Sequence, residues 1–297
     1  MNSSVASAVG IDIGGTRVKS VIVDDQGKML EEDERDSIEG AAAFVSLVES
    51  ILADLGASEQ LPVGISCPGL AQRDHRAIAC MPGRMEGLEG LVFGDMLNRE
   101  VFVLNDAHAA TLGEATLGAA EGRRTVVMLT LGTGVGGGVV IDGRLYTGAT
   151  GRAGHFGHMT VDAGGAQDIC NTPGSIEDAI GNHNVNERSR GRYLSTRELI
   201  DAVNAGDVEA ANVWQASVDA LAAALASLIN AFDPEAVVIG GGIAAAGPVL
   251  FDPLEQAMQR VEWRPHGQAV PILPATLGVQ AGALGAALFV TRPELRP

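Results

Sequence analysis

The sequence GIDIGGTRVKSVIVDDQGKML at residues 10–30 returns in altered form as LTLGTGVGGGVVIDGRLY at residues 129–146. Each copy opens with a short apolar strand, passes through a glycine-rich turn into a second strand, and reaches a third strand after a tight turn. Asp142-Gly143 in the second copy is a strong hairpin signal. A supersecondary unit that occurs twice predicts two like α/β domains, with a ligand cleft between them.

The remaining elements follow from hydrophobic spacing and from capping residues. We predict helices over 44–55, 107–118 and 278–290, a long helix capped by Asp207 that ends at Phe232, and strands at 63–66, 101–104 and 236–239. Ser195 and Glu198 form a capping box. The polar stretch 182–192 is predicted to be an exposed loop.

Charge and composition limit the classes of function. The 297-residue chain carries a net charge of −17, which repels nucleic acids and anionic lipids. The three cysteines, Cys67, Cys80 and Cys170, are few and widely spaced, which indicates a reducing cytoplasm. The N-terminus lacks the basic region of a signal peptide. The most apolar stretch, 218–232, is too short for a membrane span, so we expect neither nucleic acid nor membrane as a partner.

Three glycine clusters each follow a predicted strand: Asp12-Ile-Gly14-Gly15-Thr16, Gly132-Thr133-Gly134-Val-Gly136 and Gly240-Gly241-Gly242. Glycine lets backbone N–H groups approach phosphate oxygens, and a carboxylate such as that of Asp12 suits Mg²⁺. Plain tight turns are the alternative reading. A dinucleotide site is another, but a strand rather than a helix follows Gly132-x-Gly134-x-x-Gly137, and we see no second βα unit after Gly242.

Asp106 is the best candidate for a general base. It ends an apolar strand directly after Asn105, and a helical stretch follows. A carboxylate at a strand end that faces a cleft can take the proton of an attacking hydroxyl. On spacing alone, the favoured reading of Asp106 is the N-cap of the following helix, and the general base is the alternative.

These motifs together resemble the ROK family of bacterial sugar kinases and repressors, within the actin/hexokinase superfamily. The similarity runs over roughly 9–287 and includes GISCPG, LNDAHAATLGEATLGAA, GTGVGGGVVIDG with GHFGHM, DPEAVVIGGGI and LGVQAGALGAAL. The resemblance implies a two-domain actin-like ATPase (ribonuclease H-like) fold. We place the first domain at 1–108 plus 278–297 and the second at 109–277.

The resemblance also implies roles for individual residues. Asp106 would be the catalytic base of an ATP-dependent kinase. The nucleotide would meet Asp12, Gly14, Gly15, Thr16, Lys19, Gly132, Thr133, Gly134, Gly240, Gly241 and Gly242. Asp12 would hold Mg²⁺ through water. The sugar would meet Gly69, Arg84, Asn105, His155, His158 and Glu177.

The chain departs from the family's zinc motif, which has a histidine followed by a C-x-C-G-x-x-G-C-x-E run. His158 stands at the histidine position, but Asp168 and Ser175 replace two of the three cysteines and only Cys170 remains. Structural zinc favours four nitrogen or sulfur ligands, so we predict no structural zinc and expect Cys170 to be a small buried residue.

The sugar-binding motifs depart as well. The family's Glu-x-Gly-His is His155-Phe-Gly-His158 here, and a Pro-Asn pair becomes Pro82-Gly83 before Arg84. Unpaired buried polar groups discriminate strongly between substrates. We therefore expect a modified or charged sugar, or another polyol, rather than plain glucose. In the alternative, His155 substitutes as a hydrogen-bonding group and glucose still binds.

Other functions within the same family remain open. A repressor would carry a helix-turn-helix segment ahead of the first meander, and this sequence reaches its first strand by Val9. A catalytically degenerate sugar sensor or pseudokinase is favoured by the altered sugar motifs and opposed by the intact phosphate loops and Asp106. The family commonly forms homodimers, which the Ala/Gly-rich helical faces would permit.

Overall fold

The computed structural model describes residues 5–81 and 85–297. The predicted sugar contact Arg84, with Pro82 and Gly83, lies outside the described residues. Contacts divide the chain into two compact units. Unit 1 comprises 1–124, 138–154 and 276–297, and unit 2 comprises 125–137 and 155–275. The domain boundaries predicted from the sequence, at 108/109 and 277/278, stay a prediction.

The strands follow the predicted meanders and the buried apolar runs between the helices. In chain order they are β1 (Ala8–Ile13), β2 (Arg17–Val23), β3 (Met29–Asp36), β4 (Val63–Cys67), β5 (Leu70–Ala71), β6 (Ile78–Cys80), β7 (Val101–Asn105), β8 (Val126–Leu131), β9 (Val135–Ile141), β10 (Arg144–Leu145), β11 (Ala236–Gly240) and β12 (Ile272–Pro274).

The α-helices begin mostly at polar caps or glycines. They are α1 (Ala41–Asp54), α2 (Phe93–Leu97), α3 (Asp106–Thr116), α4 (Ile176–Ile180), α5 (Val185–Arg188), α6 (Thr196–Asn204), α7 (Val208–Phe232), α8 (Pro248–Val261) and α9 (Ala281–Thr291). The predicted caps of α6 and α7 are confirmed, because Ser195 and Asp207 accept hydrogen bonds from backbone N–H groups of the first turns.

The internal repeat is confirmed by the two five-stranded sheets. Their strand orders are β3-β2-β1-β4-β7 and β10-β9-β8-β11-β12. In each sheet the third, second and first strands of a meander lie side by side, and two later strands continue from the first. β4 and β7 are parallel to their neighbours in one sheet, and β11 and β12 are parallel in the other. These sheets establish the actin-like α/β fold class.

The small side chains of α9 allow close packing inside unit 1. Residues 281–290 of this helix are all buried. A Cβ atom at Gly285 would overlap the carbonyl oxygen of Ala109 in α3, and one at Gly10 in β1 would overlap the carbonyl oxygen of Ala283. The Ala/Gly-rich face was expected to permit dimerisation. Dimerisation stays a prediction, and α9 offers no free face for it because unit 1 itself covers residues 281–290 of the helix.

α7 explains the longest apolar stretch of the sequence. By length and mean hydropathy alone it could cross a membrane, but half of its most apolar window is buried. In unit 2 it packs against α4, α6 and α8, and Trp214 Nε1 donates to the carbonyl oxygen of Val249 at 2.8 Å. Packing within unit 2 therefore accounts for its apolar residues.

Two expectations about the second half of the chain are wrong. Residues 182–192 were predicted to be an irregular loop, yet they contain a 3₁₀ turn at Asn182–Asn184 and the short helix α5. The glycine cluster after β11 was thought to lack a βα unit behind it. α8 follows that cluster, and β12 then returns parallel to β11. The sequence pattern does not reveal α8, because a 3₁₀ segment at Gly242–Ala246 precedes the helix and Pro253 lies inside it.

Candidate functional site

Strand register in unit 1 surrounds Asp12 with polar partners. Asp12 in β1 lies opposite Lys19 in β2 and beside Ser66 in β4. The hydroxyl of Ser66 donates to Asp12 Oδ1 at 2.6 Å. A Cβ atom at Gly282 would come within 2.8–3.1 Å of the Asp12 carboxylate, so glycine at that position leaves room for it. Ser66 and Gly282 were missed by sequence reasoning because their proximity depends on the pairing of distant strands and helices.

The surroundings of Asp12 disfavour the ionised form of its carboxylate. Burial raises its pKa from 3.8 to about 6, the Ser66 hydrogen bond and Lys19 oppose the rise, and the negative charge of Asp106 adds to it. Asp12 and Asp106 therefore repel one another within unit 1. A divalent cation would relieve both the desolvation and the repulsion, so the donor set fits Mg²⁺.

The first glycine loop is the turn between β1 and β2. It is closed by the N–H of Gly14, which donates to the carbonyl oxygen of Arg17 at 2.9 Å. Gly15 and Thr16 are exposed at the tip. Asp12, Gly14, Gly15, Thr16 and Lys19 are thus brought to one end of the β1–β2 hairpin.

Asn105 organises the start of α3. Its Oδ1 accepts from the N–H groups of Ala107 and His108 at 3.0 and 3.1 Å, so Asn105, not Asp106, is the N-cap. Its Nδ2 donates to the carbonyl oxygen of Gly69 and to Asp106 Oδ1, each at 2.9 Å. The reading of Asp106 as the cap is therefore wrong. Since all four hydrogen-bonding positions of the Asn105 amide are engaged, its sugar contact would require an exchange and stays a prediction.

Asp106 is the first residue of α3 and follows β7 directly. Its carboxylate is partly buried, and Oδ1 also accepts from the N–H of Ala107 at 2.8 Å. Gly69, whose carbonyl is tied to Asn105, has a φ of 102° and no space for a side chain against Ile78 and Met81. Gly69, Asn105 and Asp106 therefore form one connected group.

The second glycine loop, in unit 2, is held from behind through its carbonyl groups. The carbonyl oxygen of Gly132 accepts from the N–H of Asn182 at 3.0 Å. That of Thr133 accepts from the N–H of His183 at 2.9 Å and contacts His183 Nδ1 at 2.9 Å. Glu177 Oε2 accepts from the N–H of Val135 at 2.9 Å. Such anchoring fixes the backbone of the loop and leaves Thr133 exposed at its tip.

Two of these contacts change the interpretation of the sequence. Glu177 was expected to contact sugar, and in unit 2 it lies against the second glycine loop, where a Cβ atom at Gly134 would overlap its carboxylate. His183 was not singled out by sequence. Its Nε2 lies 2.9 Å from Asp178 Oδ1, so the imidazole joins the loop to α4.

The third glycine cluster follows β11, and Gly241, at φ 86°, lies against the backbone of Leu131.

The histidines of the GHFGHM segment have different surroundings within unit 2. Burial, and then the neighbouring His158, lowers the pKa of His155, so its imidazole is neutral near pH 7. His158 Nδ1 lies 2.8 Å from Asp168 Oδ2, and Cys170 Sγ lies 3.5 Å from His158 Nε2. Cys170 is exposed, which corrects the expectation that it is buried. The residues around Cys170 show no hydrophobic periodicity, so the sequence does not indicate whether its side chain is buried or exposed.

Comparison with known proteins agrees with the fold and these motifs. The ROK family profile matches residues 8–292, and the chain belongs to the ROK family. A glucokinase of Thermotoga maritima is 32% identical over 95% of this chain and 96% of that protein.

Two solved structures are also similar. A ROK hexokinase from Thermus thermophilus superposes with a TM-score of 0.84 at 32% identity, covering 97% of this chain and 99% of that one. A ROK glucokinase from Streptomyces griseus, solved with glucose and AMPPNP, gives a TM-score of 0.77 at 29% identity, with coverage of 95% and 98%.

Proposed function

We propose that this chain is an ATP-dependent kinase that phosphorylates a hydroxyl of a sugar or sugar-like small molecule. One observation carries the proposal. Asn105 caps α3, so helix capping does not explain why Asp106, the residue directly after β7, carries a carboxylate. Similarity to a glucokinase solved with glucose and an ATP analogue supports the same reaction.

In the proposed mechanism, Asp106 accepts the proton of the attacking substrate hydroxyl. The new bond joins that hydroxyl oxygen to the γ-phosphorus, while the bond from the γ-phosphorus to the bridging oxygen breaks and ADP leaves. Asn105 Nδ2 donates to Asp106 Oδ1 and thereby orients the carboxylate. Because the transition state needs positioning and charge neutralisation more than covalent chemistry, fixing this base is a direct contribution to rate.

The glycine loops would bind the phosphates. The net charge of −17 repels a phosphate group, so the phosphates must be held by local donors. The backbone N–H groups of Gly15, Thr16, Thr133 and Gly134 can serve as these donors. Lys19 adds a positive charge beside the first loop. The cluster at 240–242 is proposed to lie under the adenosine.

Asp12 would hold Mg²⁺ through water. When bound, the ion neutralises charge on the phosphate oxygens. The hydroxyl of Ser66 keeps the Asp12 carboxylate oriented whether or not it is ionised. The raised pKa of Asp12 means that its folded, ionised form gains from a cation.

The substrate is proposed to be a modified or charged sugar, or a polyol, rather than plain glucose. The residue that supports this is His155, where the family pattern has a carboxylate. A neutral imidazole offers one donor and one acceptor, whereas a carboxylate offers acceptors alone. The hydroxyl pattern that pairs with His155 therefore differs from the pattern that pairs with glutamate.

The test measures ADP formation with MgATP across hexoses, N-acetylhexosamines, sugar acids and polyols. Asp106→Asn is the matched control, since it keeps the shape and the Asn105 contact but removes the base. We expect substrate-dependent turnover by the wild type and a loss of about 10²–10⁴-fold in the variant. Ordinary glucokinase rates with glucose would contradict the proposed substrate class.

The second candidate function is a sugar sensor or pseudokinase, favoured by His155 at the carboxylate position. It predicts that ATP and a sugar bind, as followed by calorimetry, while no member of the panel is turned over. Retained turnover in Asp106→Asn would instead contradict the assignment of the base. We further propose that the chain acts in the cytoplasm as a homodimer. Size-exclusion chromatography with light scattering would test the oligomeric state.

A further inference from the structure

The segment between the 3₁₀ turn Phe156–His158 and α4 is folded back on itself in unit 2. We call residues 159–175 the hairpin loop. The N–H of Ile176 donates to the carbonyl oxygen of Met159 at 2.9 Å, and the N–H of Val161 donates to that of Gly174 at 2.8 Å. The hairpin loop connects the turn that carries His155 and His158 to the helix that carries Glu177. How it is held closed therefore matters for the site.

Asp168 is the buried centre of the hairpin loop. Its side chain is 1% exposed. Oδ1 accepts from the N–H groups of Cys170 and Thr172, each at 2.8 Å, and Oδ2 pairs with His158 Nδ1 at 2.8 Å. Burial alone would raise the pKa of Asp168, but the His158 hydrogen bond and the two N–H groups hold it below its ordinary value.

These residues occupy the positions of the family's zinc motif, but they do not fit a structural zinc. The side-chain donor atoms of His158, Asp168 and Cys170 lie within 4.8 Å of one another, which gives three donors where a tetrahedral structural zinc takes four. His158 Nδ1 and Asp168 Oδ2 are already paired with each other at 2.8 Å, a hydrogen-bond distance.

The remaining two positions do not complete a site either. The hydroxyl of Ser175 is buried and accepts from the N–H of Asp178 as the N-cap of α4. Cys170 is exposed, 3.5 Å from His158 Nε2. A serine hydroxyl is a poor zinc ligand, and both Asp168 oxygens already accept hydrogen bonds.

We propose that the His158–Asp168 pair replaces the structural zinc in this chain, so that the hairpin loop closes without a metal. The carboxylate joins the 3₁₀ turn to the hairpin loop as the ion would, and its second oxygen fixes the backbone at Cys170 and Thr172. Ser175 then serves as a helix cap. The proposal concerns folding and metal content, so it does not depend on which sugar is phosphorylated.

The first experiment uses the purified full chain and measures zinc by mass spectrometry and the thermal midpoint, Tm, with and without 1,10-phenanthroline. We expect zinc well below one ion per chain and no change of Tm with the chelator. Stoichiometric zinc, or a fall of Tm on chelation, would overturn the proposal.

Single variants test the pair itself. Asp168→Asn keeps the volume but loses the charge-assisted acceptor, and we expect Tm to fall by roughly 5 °C. Asp162→Asn is the control, because that carboxylate is exposed in the same hairpin loop. Cys170→Ser should leave Tm unchanged. An unchanged Tm in Asp168→Asn, or a clear fall in Cys170→Ser, would refute the pair as the cross-link.

A gain-of-function variant completes the test. Asp168→Cys combined with Ser175→Cys restores the histidine and three cysteines of the family motif. We expect this double variant to take up one zinc per chain and to lose Tm on chelation. With cobalt it should show the absorption of a thiolate site, whereas the wild type should not. Cobalt absorption of this kind in the wild type would overturn the proposal even if the double variant fails to fold.

Discussion

Replacing Asp12 by asparagine is predicted to stabilise the protein and to abolish its kinase activity. The side chain is partly buried, and its pKa in the folded protein is about 6 instead of 3.8. Asparagine has nearly the same shape and still accepts from the hydroxyl of Ser66. It removes the charge that burial and Asp106 disfavour, together with the proposed ligand of Mg²⁺.

The size and sign of the effect follow from proton linkage. Below pH 3.8 both the folded and the unfolded chain hold the Asp12 proton, and the stabilising contribution of the raised pKa is fully present. Between pH 3.8 and about 6 the unfolded chain has lost the proton while the folded chain keeps it, so stability falls as the pH rises. Above that window, folding with an ionised Asp12 costs about 3 kcal/mol.

The measurement compares Tm for the wild type and Asp12→Asn from pH 4 to pH 8. We expect the variant to gain roughly 5–10 °C over the wild type across this range, most of it before pH 7. Millimolar Mg²⁺ should raise Tm of the wild type and not of the variant. Asp25→Asn, an exposed acid in the β2–β3 turn, is the matched control.

A Tm difference between wild type and Asp12→Asn that does not change with pH would refute this reasoning. It would mean that Asp12 is well solvated in the folded protein. If Asp12→Asn is more stable than the wild type but keeps full turnover, the effect of burial on the Asp12 charge is supported. The proposed role of Asp12 at the phosphates is then contradicted.

Three further substitutions test the packing and the loops. Gly285→Ala should destabilise the chain by about 1–3 kcal/mol or more, seen as a lower Tm, because its Cβ would overlap the carbonyl oxygen of Ala109. Glu114→Gln should cost about 2–4 kcal/mol in denaturant unfolding, since this fully buried carboxylate accepts from three backbone N–H groups and one hydroxyl. Gly134→Ala should lower kcat/KM for ATP by about 10²-fold with little change in Tm, because its Cβ would displace Glu177 from behind the second glycine loop.

The Gly285 and Glu114 substitutions each have a control in the same chain. Gly164→Ala meets only Asp162 Oδ1 at 3.5 Å, an ordinary contact, and should leave Tm unchanged. Glu198→Gln alters an exposed capping carboxylate and should cost less than about 1 kcal/mol. Equal losses in the Gly164 and Gly285 variants, or in the two glutamate variants, would contradict the assignment of these effects to burial and close packing.

Local chemistry made the architecture predictable. Glycine after a strand, the Asp142-Gly143 turn and alternating apolar residues are short-range signals, and they occur in both meanders. The same holds for Asp207 and Ser195, whose capping function depends on residues two or three positions away. The prediction failed where local signals are weak, as at α5 with its polar sequence and at α8, which follows a 3₁₀ segment and contains Pro253.

The sequence by itself thus determined the duplicated meander, the family and the positions of the glycine loops. Tertiary structure alone decided that Ser66 orients Asp12 across 54 positions, and that Glu177 and His183 hold the second glycine loop. It also paired His158 with Asp168. The reason is physical: turns and caps are fixed by neighbours in the chain, whereas strand register and burial set which distant polar groups meet and how strongly their charges are disfavoured.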